Sequence, residues 1–142
     1  PFSEGQRRVI GLAAEQRALR WLEAQAQYSD ALVRWRSGYS DKVQGGGAGD
    51  DTLGYDIEVI TSSNRFLFEV KGTADDRQEF ELTHREMEVA SENRSRNAWR
   101  VIFVNYALDD SHARPRLLPN PFSQRGAEAY SKEGTGVRYR FS

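Results

Sequence analysis

Residues 54–72 read GYDIEVITSSNRFLFEVKG, and this stretch decides the fold. Its only turn-forming residues are the four polar residues 61–64, so the chain on either side is predicted to form two antiparallel strands. Because side chains alternate along a strand, one face of this hairpin should be apolar and the other charged. The apolar face, predicted to be core, comprises Tyr55, Ile57, Val59, Phe66, Phe68 and Val70. The charged face carries Asp56, Glu58, Ile60, Arg65, Leu67, Glu69 and Lys71.

Two registers of the hairpin are compatible with the turn. A turn at residues 62–63 places Asp56 opposite Glu69, whereas a turn at residues 63–64 places Asp56 opposite Lys71. Opposed carboxylates repel, and a bound cation would convert this repulsion into attraction. The alternative is a solvated outer face whose charges pair across the strands, although two aliphatic residues on that face indicate that another element packs there.

An amphipathic helix is predicted over residues 6–28, which contain no proline and carry apolar residues at helical spacing. This stripe consists of Leu12, Leu19, Leu22 and Ala26. Glu15 falls on its buried side, where an unpaired carboxylate would cost several kcal/mol. Glu15 therefore either pairs with an arginine such as Arg65, or lies at the edge of a slightly rotated stripe, or belongs to a helix that crosses the charged face of the hairpin and adds a third carboxylate there.

These features resemble the PD-(D/E)XK nuclease superfamily, and more narrowly the domain at the C-terminus of the plant protein NO VEIN. The resemblance is carried by Gly11-x-x-x-Glu15, Gly54-Tyr55-Asp56-Ile57, Glu69-Val70-Lys71-Gly72-Thr73 and Phe80-Glu81-Leu82-Thr83. It implies an α/β (α+β), restriction-endonuclease-like fold with an α-β-β-β-α-β core and a mixed central sheet flanked by helices. Bacterial domains that look like this one are attached to helicases, ATPases and restriction-type defence proteins.

The same resemblance implies site residues and a cofactor. Asp56 and Glu69 would bind Mg²⁺ or Mn²⁺, with the Val70 carbonyl as a further ligand. Lys71 would orient or deprotonate the attacking water and stabilise charge on the phosphate, and Glu15 would hold a water on the metal or a second ion. This agrees with the preference of hard cations for oxygen ligands and with their action as Lewis acids.

The function that this resemblance implies is metal-dependent hydrolysis of phosphodiester bonds, endonucleolytic and on DNA. The domain would act as the effector of a restriction, anti-phage defence or helicase-associated protein. Its partners would be DNA and the helicase or ATPase domains of the same or an associated chain, and a homodimer is left open. The alternative is a non-catalytic module that binds nucleic acid or protein, in which Glu69 and Lys71 form a salt bridge.

Length and composition limit the other classes. The 142 residues are expected to form one domain over 1–142, a fragment of a larger multidomain protein. The absence of cysteine excludes thiol catalysis and disulfides. No apolar run has the length of a membrane span and no signal sequence is present, so the expected location is cytoplasmic, without a membrane.

Charge is the main difficulty for a nuclease, because the net charge is −1 and nucleic-acid binding usually leaves a basic footprint. Affinity would have to come from a local patch or from an attached partner. Arginines that occur in pairs could grip phosphates: Arg7, Arg8, Arg94, Arg96, Arg114, Arg116, Arg138 and Arg140.

The second half of the chain predicts further elements. Thr83 and Glu86 form a capping-box pattern that starts a helix running to about Asn93. A buried strand is predicted at residues 100–105, and a short edge strand at Leu117 and Leu118. A last, half-exposed strand would present Val137, Tyr139 and Phe141 on one side.

Overall fold

Residues 2–47, 49–133 and 138–142 are described by the computed structural model. The elements in chain order are α1 (Glu4–Glu23), a 3₁₀ turn (Ala26–Tyr28), β1 (Leu32–Trp35), α2 (Tyr39–Val43), β2 (Ile57–Ile60), β3 (Arg65–Gly72), β4 (Glu79–Glu81), α3 (His84–Glu92), β5 (Trp99–Asn105), β6 (Arg114–Leu118), α4 (Gln124–Ala129), β7 (Ser131–Glu133) and β8 (Arg138–Arg140). Within these residues, no helix is long and apolar enough to cross a membrane.

The strands form two sheets. The larger has the order β1-β2-β3-β5-β6, and the smaller has the order β4-β8-β7. β3 and β5 are parallel, while the other neighbours in the larger sheet are antiparallel. Taken in chain order, α1, β1, β2, β3, α3 and β5 give the expected α-β-β-β-α-β core with a mixed sheet, so the restriction-endonuclease-like fold is confirmed.

The hairpin has the first of the two predicted registers. Ile57 pairs with Phe68, and the Thr61 N–H donates to the Asn64 carbonyl at 2.9 Å, which leaves residues 62–63 as the turn. The Asp56 N–H also donates to the Phe68 carbonyl, so two successive residues oppose one and regular alternation stops there. For this reason Tyr55 packs with the cluster on the opposite face, and its predicted place among the apolar-face residues is wrong.

α1 covers the apolar face of the hairpin. Its buried residues are Ile10, Ala14, Glu15, Ala18 and Leu22, whereas Leu12 and Leu19 are only partly buried. The prediction that this helix crosses the charged face is therefore wrong, because the aliphatic and aromatic face of β2 and β3 offers the larger area to remove from water. Small residues let the two elements approach closely, since a Cβ on Gly72 would lie 2.6 Å from that of Ala14.

α3 and the smaller sheet cover the opposite face. Leu67, Trp99 and Phe103 there pack with Ala90 and Tyr139. α3 starts after the N-cap Thr83 through the predicted capping box, and β5 and β6 confirm the two predicted strands. Tyr139 and Phe141 are buried as predicted, while Val137 lies outside the described residues. The sheet is thus held between α1 on one face and α3 on the other.

Candidate active site

A cleft of about 650 Å³ opens where β2 begins and β3 ends. It is lined by Glu15 from α1, Asp56 ahead of β2, Glu69 and Lys71 from β3, and Glu86 from α3. The helices on the two faces of the sheet both reach this end, which explains how α1 can contribute without crossing the charged face. The four side chains singled out from the sequence therefore share one cleft, with a fifth that was not.

Asp56 is held by the backbone around it. Its Oδ2 accepts a hydrogen bond from the Val70 N–H at 2.8 Å, and its carbonyl accepts one from the Arg36 N–H at 2.7 Å. Burial raises the pKa of the Asp56 carboxyl to about 6, although the Val70 hydrogen bond and the Lys71 charge act in the opposite direction. Asp56 is therefore fixed in place but poorly neutralised.

Glu69 is a second buried carboxyl of the cleft with a raised pKa. It is only 3% exposed, and its pKa is raised well above the ordinary value, first by burial and then by the charge of Asp56. The Lys71 Nζ lies 3.3 Å from Glu69 Oε2 and opposes this rise without cancelling it. A buried carboxyl whose neighbours carry the same charge favours any added cation.

Lys71 is held by Glu86. The Glu86 Oε1 accepts hydrogen bonds from both Lys71 Nζ and the Thr83 N–H, each at 2.9 Å, so the carboxylate that caps α3 also positions the lysine. Burial alone would lower the pKa of Lys71, but Glu69 and Glu86 outweigh it and the pKa is raised. The ammonium group therefore keeps its proton, which suits it to stabilise charge on a phosphate rather than to deprotonate water.

Sequence reasoning identified Glu86 only as a capping residue. The capping-box pattern fixed its position at the start of α3, and the structure confirms that pattern. What the pattern could not give is the packing of this helix start against the end of β3, which depends on contacts between distant parts of the chain. The position of Glu86 in the sequence therefore predicted the start of the helix but not its place in the cleft.

Glu15 is buried, 5% exposed, and its partners are not arginines. Its Oε1 accepts hydrogen bonds from Trp35 Nε1 at 2.8 Å and from Ser37 Oγ. Burial, and then the charge of Asp56, raise the pKa of Glu15 to about 8 despite these two donors. The alternative that Glu15 pairs with Arg65 is wrong, because Arg65 binds another carboxylate on its own hairpin.

The glycine of the Gly11-x-x-x-Glu15 motif makes room for an aromatic wall of the cleft. A Cβ on Gly11 would lie 2.9 Å from the Tyr39 hydroxyl oxygen, and Tyr39 lines the cleft beside Glu15. Burial, together with the charge of Glu15, raises the pKa of Tyr39. Gly11 therefore contributes through the close approach of α1 to Tyr39.

The carboxylates of the cleft could hold a divalent cation only in a site with few protein ligands. In the parts of the chain that the structure describes, no group of three or more His, Cys, Asp or Glu side chains is arranged to hold a metal ion. Mg²⁺, however, keeps several waters and is commonly bound through one or two carboxylates. Asp56 and Glu69 are adjacent, offer only oxygen and are poorly neutralised, so they fit such an ion. The Val70 carbonyl and Glu15 as further ligands stay predictions.

The predicted arginine pairs lie in different surroundings. Arg7 lines the cleft. Arg138 and Arg140 form ion pairs with Glu81 and Glu79 at 2.8 and 3.2 Å, so carboxylates already offset part of their charge. A phosphate-binding role for these pairs stays a prediction.

Comparison with known proteins places the chain in a family. In a structure comparison, the Holliday junction resolvase Hjc from Archaeoglobus fulgidus is 16% identical, with a TM-score of 0.48, over 89% of this chain and 85% of that chain. No match to a curated protein was found. The model of the family described as "Protein NO VEIN, C-terminal" matches residues 14–118, which include Glu15, Asp56, Glu69 and Lys71. This match extends over most of the sequence, and the chain belongs to the NO VEIN C-terminal family.

Proposed function

We propose that this chain is a divalent-metal-dependent nuclease that hydrolyses phosphodiester bonds within DNA. The observation that supports it is the convergence of Glu15, Asp56, Glu69 and Lys71 in one cleft. Two poorly neutralised carboxylates beside one fixed ammonium group suit a reaction in which a cation and a phosphate meet.

Each side chain then has a chemical task. Asp56 and Glu69 would hold Mg²⁺ or Mn²⁺, which would supply Lewis-acid polarisation of the phosphate and lower the pKa of a water. Lys71 stabilises the negative charge that grows on the phosphate, because Glu86 keeps its ammonium group charged and directed into the cleft. Glu15, buried beside Asp56, would hold a water on the metal or a second ion.

The biological setting is also a proposal. We infer a single domain over residues 1–142 that works inside a larger cytoplasmic protein, as the effector of a restriction, anti-phage defence or helicase-associated system. Membership of the family supports this setting through the resemblance to domains attached to helicases and ATPases. An attached partner of that kind would bring DNA to a cleft whose own charge is unfavourable.

The test is a cleavage assay on supercoiled plasmid and on single-stranded DNA, with Mg²⁺, Mn²⁺ or EDTA. Wild type should cleave only with a divalent cation, and Glu69→Gln and Lys71→Met should each abolish cleavage. Glu92→Gln and Lys42→Met are matched controls, because these side chains are exposed and should leave activity unchanged. Equal cleavage by wild type and both cleft variants would point to a contaminant and remove the proposal.

One observation favours a second candidate, a non-catalytic binding module. Lys71 forms ion pairs with both Glu69 and Glu86, at 3.3 and 2.9 Å, so the cleft has an internal cation of its own. In such a module the cleft would bind no divalent cation, and Glu69→Gln would not change DNA affinity in Mg²⁺. A nuclease would lose Mg²⁺ binding in the same variant, and calorimetric titration of Mg²⁺ into both proteins separates the two candidates.

A further inference from the structure

Three arginines surround one buried carboxylate on the open part of the larger sheet. Glu58, in β2, is 3% exposed. Its Oε1 accepts a hydrogen bond from Arg36 Nη1 at 3.4 Å and lies 3.7 Å from Arg34 Nη1, and its Oε2 accepts one from Arg65 Nε. Neighbouring strands thus bring three guanidinium groups to a single anion.

This arrangement has more positive charge than the buried carboxylate needs. Three guanidinium groups against one carboxylate leave two positive charges in excess, and the nearby Asp50 offsets only part of this. The arginine side chains remain 48%, 28% and 52% exposed for Arg34, Arg36 and Arg65. A single bidentate arginine would satisfy Glu58. The additional groups therefore present an ordered cationic surface to solvent.

Glu58 gives this surface its order. A free arginine side chain loses rotamer entropy when an anion fixes it. Here the buried carboxylate already holds the three side chains, and Arg65 is further held by a hydrogen bond to the Tyr55 hydroxyl at 2.9 Å and by the face of the Tyr55 ring. An anion that binds this surface would meet side chains that are already positioned.

The surface adjoins the cleft. The backbone N–H of Arg36 donates to the carbonyl of Asp56 at 2.7 Å, and Glu58 follows Asp56 by two residues. Two strand residues span about 7 Å, and successive phosphates of one DNA strand are about 3.4 Å apart along the helix axis. A strand with one phosphate in the cleft would therefore place a nearby phosphate of the same strand within reach of the arginines.

The cleft itself has no excess of positive charge that would attract DNA. Of its charged lining residues, six are acidic and three are basic: Glu15, Asp51, Asp56, Glu69, Glu79 and Glu86 against Arg7, Lys71 and Arg77. The whole chain carries a net charge of −1. For the domain to bind a polyanion on its own, a local surface of the opposite sign must lie next to the cleft, and the cluster around Glu58 meets this requirement.

We propose that Arg34, Arg36 and Arg65 form a binding surface for the phosphate backbone of DNA. That the bound DNA continues from this surface into the cleft rests on the proposed nuclease function. The binding of DNA to the surface does not. Guanidinium groups suit the role because each can donate two parallel hydrogen bonds to a phosphate. Contacts of this kind are independent of base sequence and weaken steeply with salt.

The test is DNA binding measured by fluorescence anisotropy with a labelled duplex, in EDTA so that no cleavage occurs. The double variant Arg34→Gln/Arg36→Gln removes two charges and keeps the Arg65 partner of Glu58. The double variant Arg20→Gln/Arg125→Gln is the control, because it removes the same charge at two exposed arginines that belong neither to this surface nor to the cleft. Circular dichroism melts check that all proteins fold, and Arg34→Gln alone replaces the double variant if that one does not.

We expect at least a tenfold weaker affinity for Arg34→Gln/Arg36→Gln, and a plot of log affinity against log salt that is less steep by about two. The control variant should stay within about twofold of wild type. Wild type that does not bind, or two double variants that bind alike, would overturn the inference. If DNA binding depends on these arginines but no cation supports cleavage, the surface stands and the nuclease proposal fails. If the protein cleaves DNA but Arg34→Gln/Arg36→Gln binds DNA as tightly as wild type, the nuclease proposal stands and the surface fails.

Discussion

Glu58 and Glu69 lie on neighbouring strands of one hairpin, and each is only 3% exposed, yet their surroundings are opposite. Glu58 is surrounded by three guanidinium groups. Glu69 lies between the carboxyls of Asp56 and Glu86 with a single ammonium group, and its pKa is raised, first by burial. This contrast shows that the fold can neutralise a buried carboxylate with its own arginines, as it does at Glu58. An added cation should therefore bind most favourably at Glu69, the carboxylate that remains poorly neutralised.

The largest expected effect is a fall in the DNA cleavage rate of the Glu69→Gln variant. Losing a metal ligand removes several kcal/mol of transition-state stabilisation, and about 1.4 kcal/mol corresponds to a factor of ten, so the rate should fall by about 10³-fold. Because the change also removes a buried, like-charged group, stability in EDTA should not fall. Plasmid cleavage rates and urea unfolding of the same preparation measure both. A variant that loses activity only because it unfolds would contradict this account of the cleft.

The next effect is a dependence of stability on pH in the absence of divalent cations. Folding raises the pKa of Glu15 from 4.5 to about 8 and that of Asp56 from 3.8 to about 6, so between these values the folded state binds more protons than the unfolded state. The contribution of these two carboxyls to the free energy of unfolding should therefore be fully present below about pH 4 and should be lost as the pH rises to 8. One pKa unit is worth about 1.4 kcal/mol, so the loss should reach several kcal/mol.

Urea unfolding in EDTA at a series of pH values measures this loss. Glu15→Gln should flatten the curve between pH 4.5 and 8, because the glutamine has no proton to lose. Glu92→Gln, at an exposed position, is the matched control and should leave the curve unchanged. A wild-type protein whose stability rises over this range would mean that the cleft carboxylates are already neutralised.

Glu58→Gln should lower the stability of the fold, whereas Glu69→Gln should not. It removes the anion that three arginines share, so the unfolding free energy should fall by about 2 kcal/mol. Glu81→Gln breaks an exposed pair with Arg138 and should cost less than about 1 kcal/mol. Chemical unfolding at one pH compares the three variants. Equal stability of Glu58→Gln and Glu69→Gln would remove the contrast between the two sites.

The smallest effect is expected for Glu86→Gln. A glutamine can keep the capping hydrogen bond to the Thr83 N–H, but it removes the carboxylate that holds the charge of Lys71. The cleavage rate should fall about tenfold, because the Lys71 ammonium group loses the carboxylate that positions it in the cleft. An unchanged cleavage rate would indicate that Glu86 serves only to cap α3.

Much of the fold follows from local patterns. The polar residues 61–64 located the turn and limited the hairpin to two registers, of which the structure has the one with residues 62–63 as the turn, and the capping box placed the start of α3. β5 was evident from its continuous apolar run. These signals depend on residues close together in sequence, so they can be interpreted before the chain is folded.

The errors concern packing between distant elements. The helical stripe of α1 is centred on Ala14 and Ala18 rather than on its leucines, because small residues permit close approach to the end of β3. The irregular backbone at Asp56 moved Tyr55 to the other face. Which helix covers which face depends on the whole sheet, so neither the hydrogen bond of Glu15 to Trp35 nor the role of Glu86 could be predicted from spacing.

The most direct measurement is a titration of Mg²⁺ into isotope-labelled protein at pH 8, followed by nuclear magnetic resonance of the backbone amides. The account predicts saturable shifts at Asp56, Glu69 and Val70, and their loss in Glu69→Gln. The amides around Glu58, where arginines already neutralise the carboxylate, should move much less. Absence of saturable shifts at the cleft, or equal shifts at both glutamates, would contradict the claim that the poorly neutralised carboxylates form a cation site.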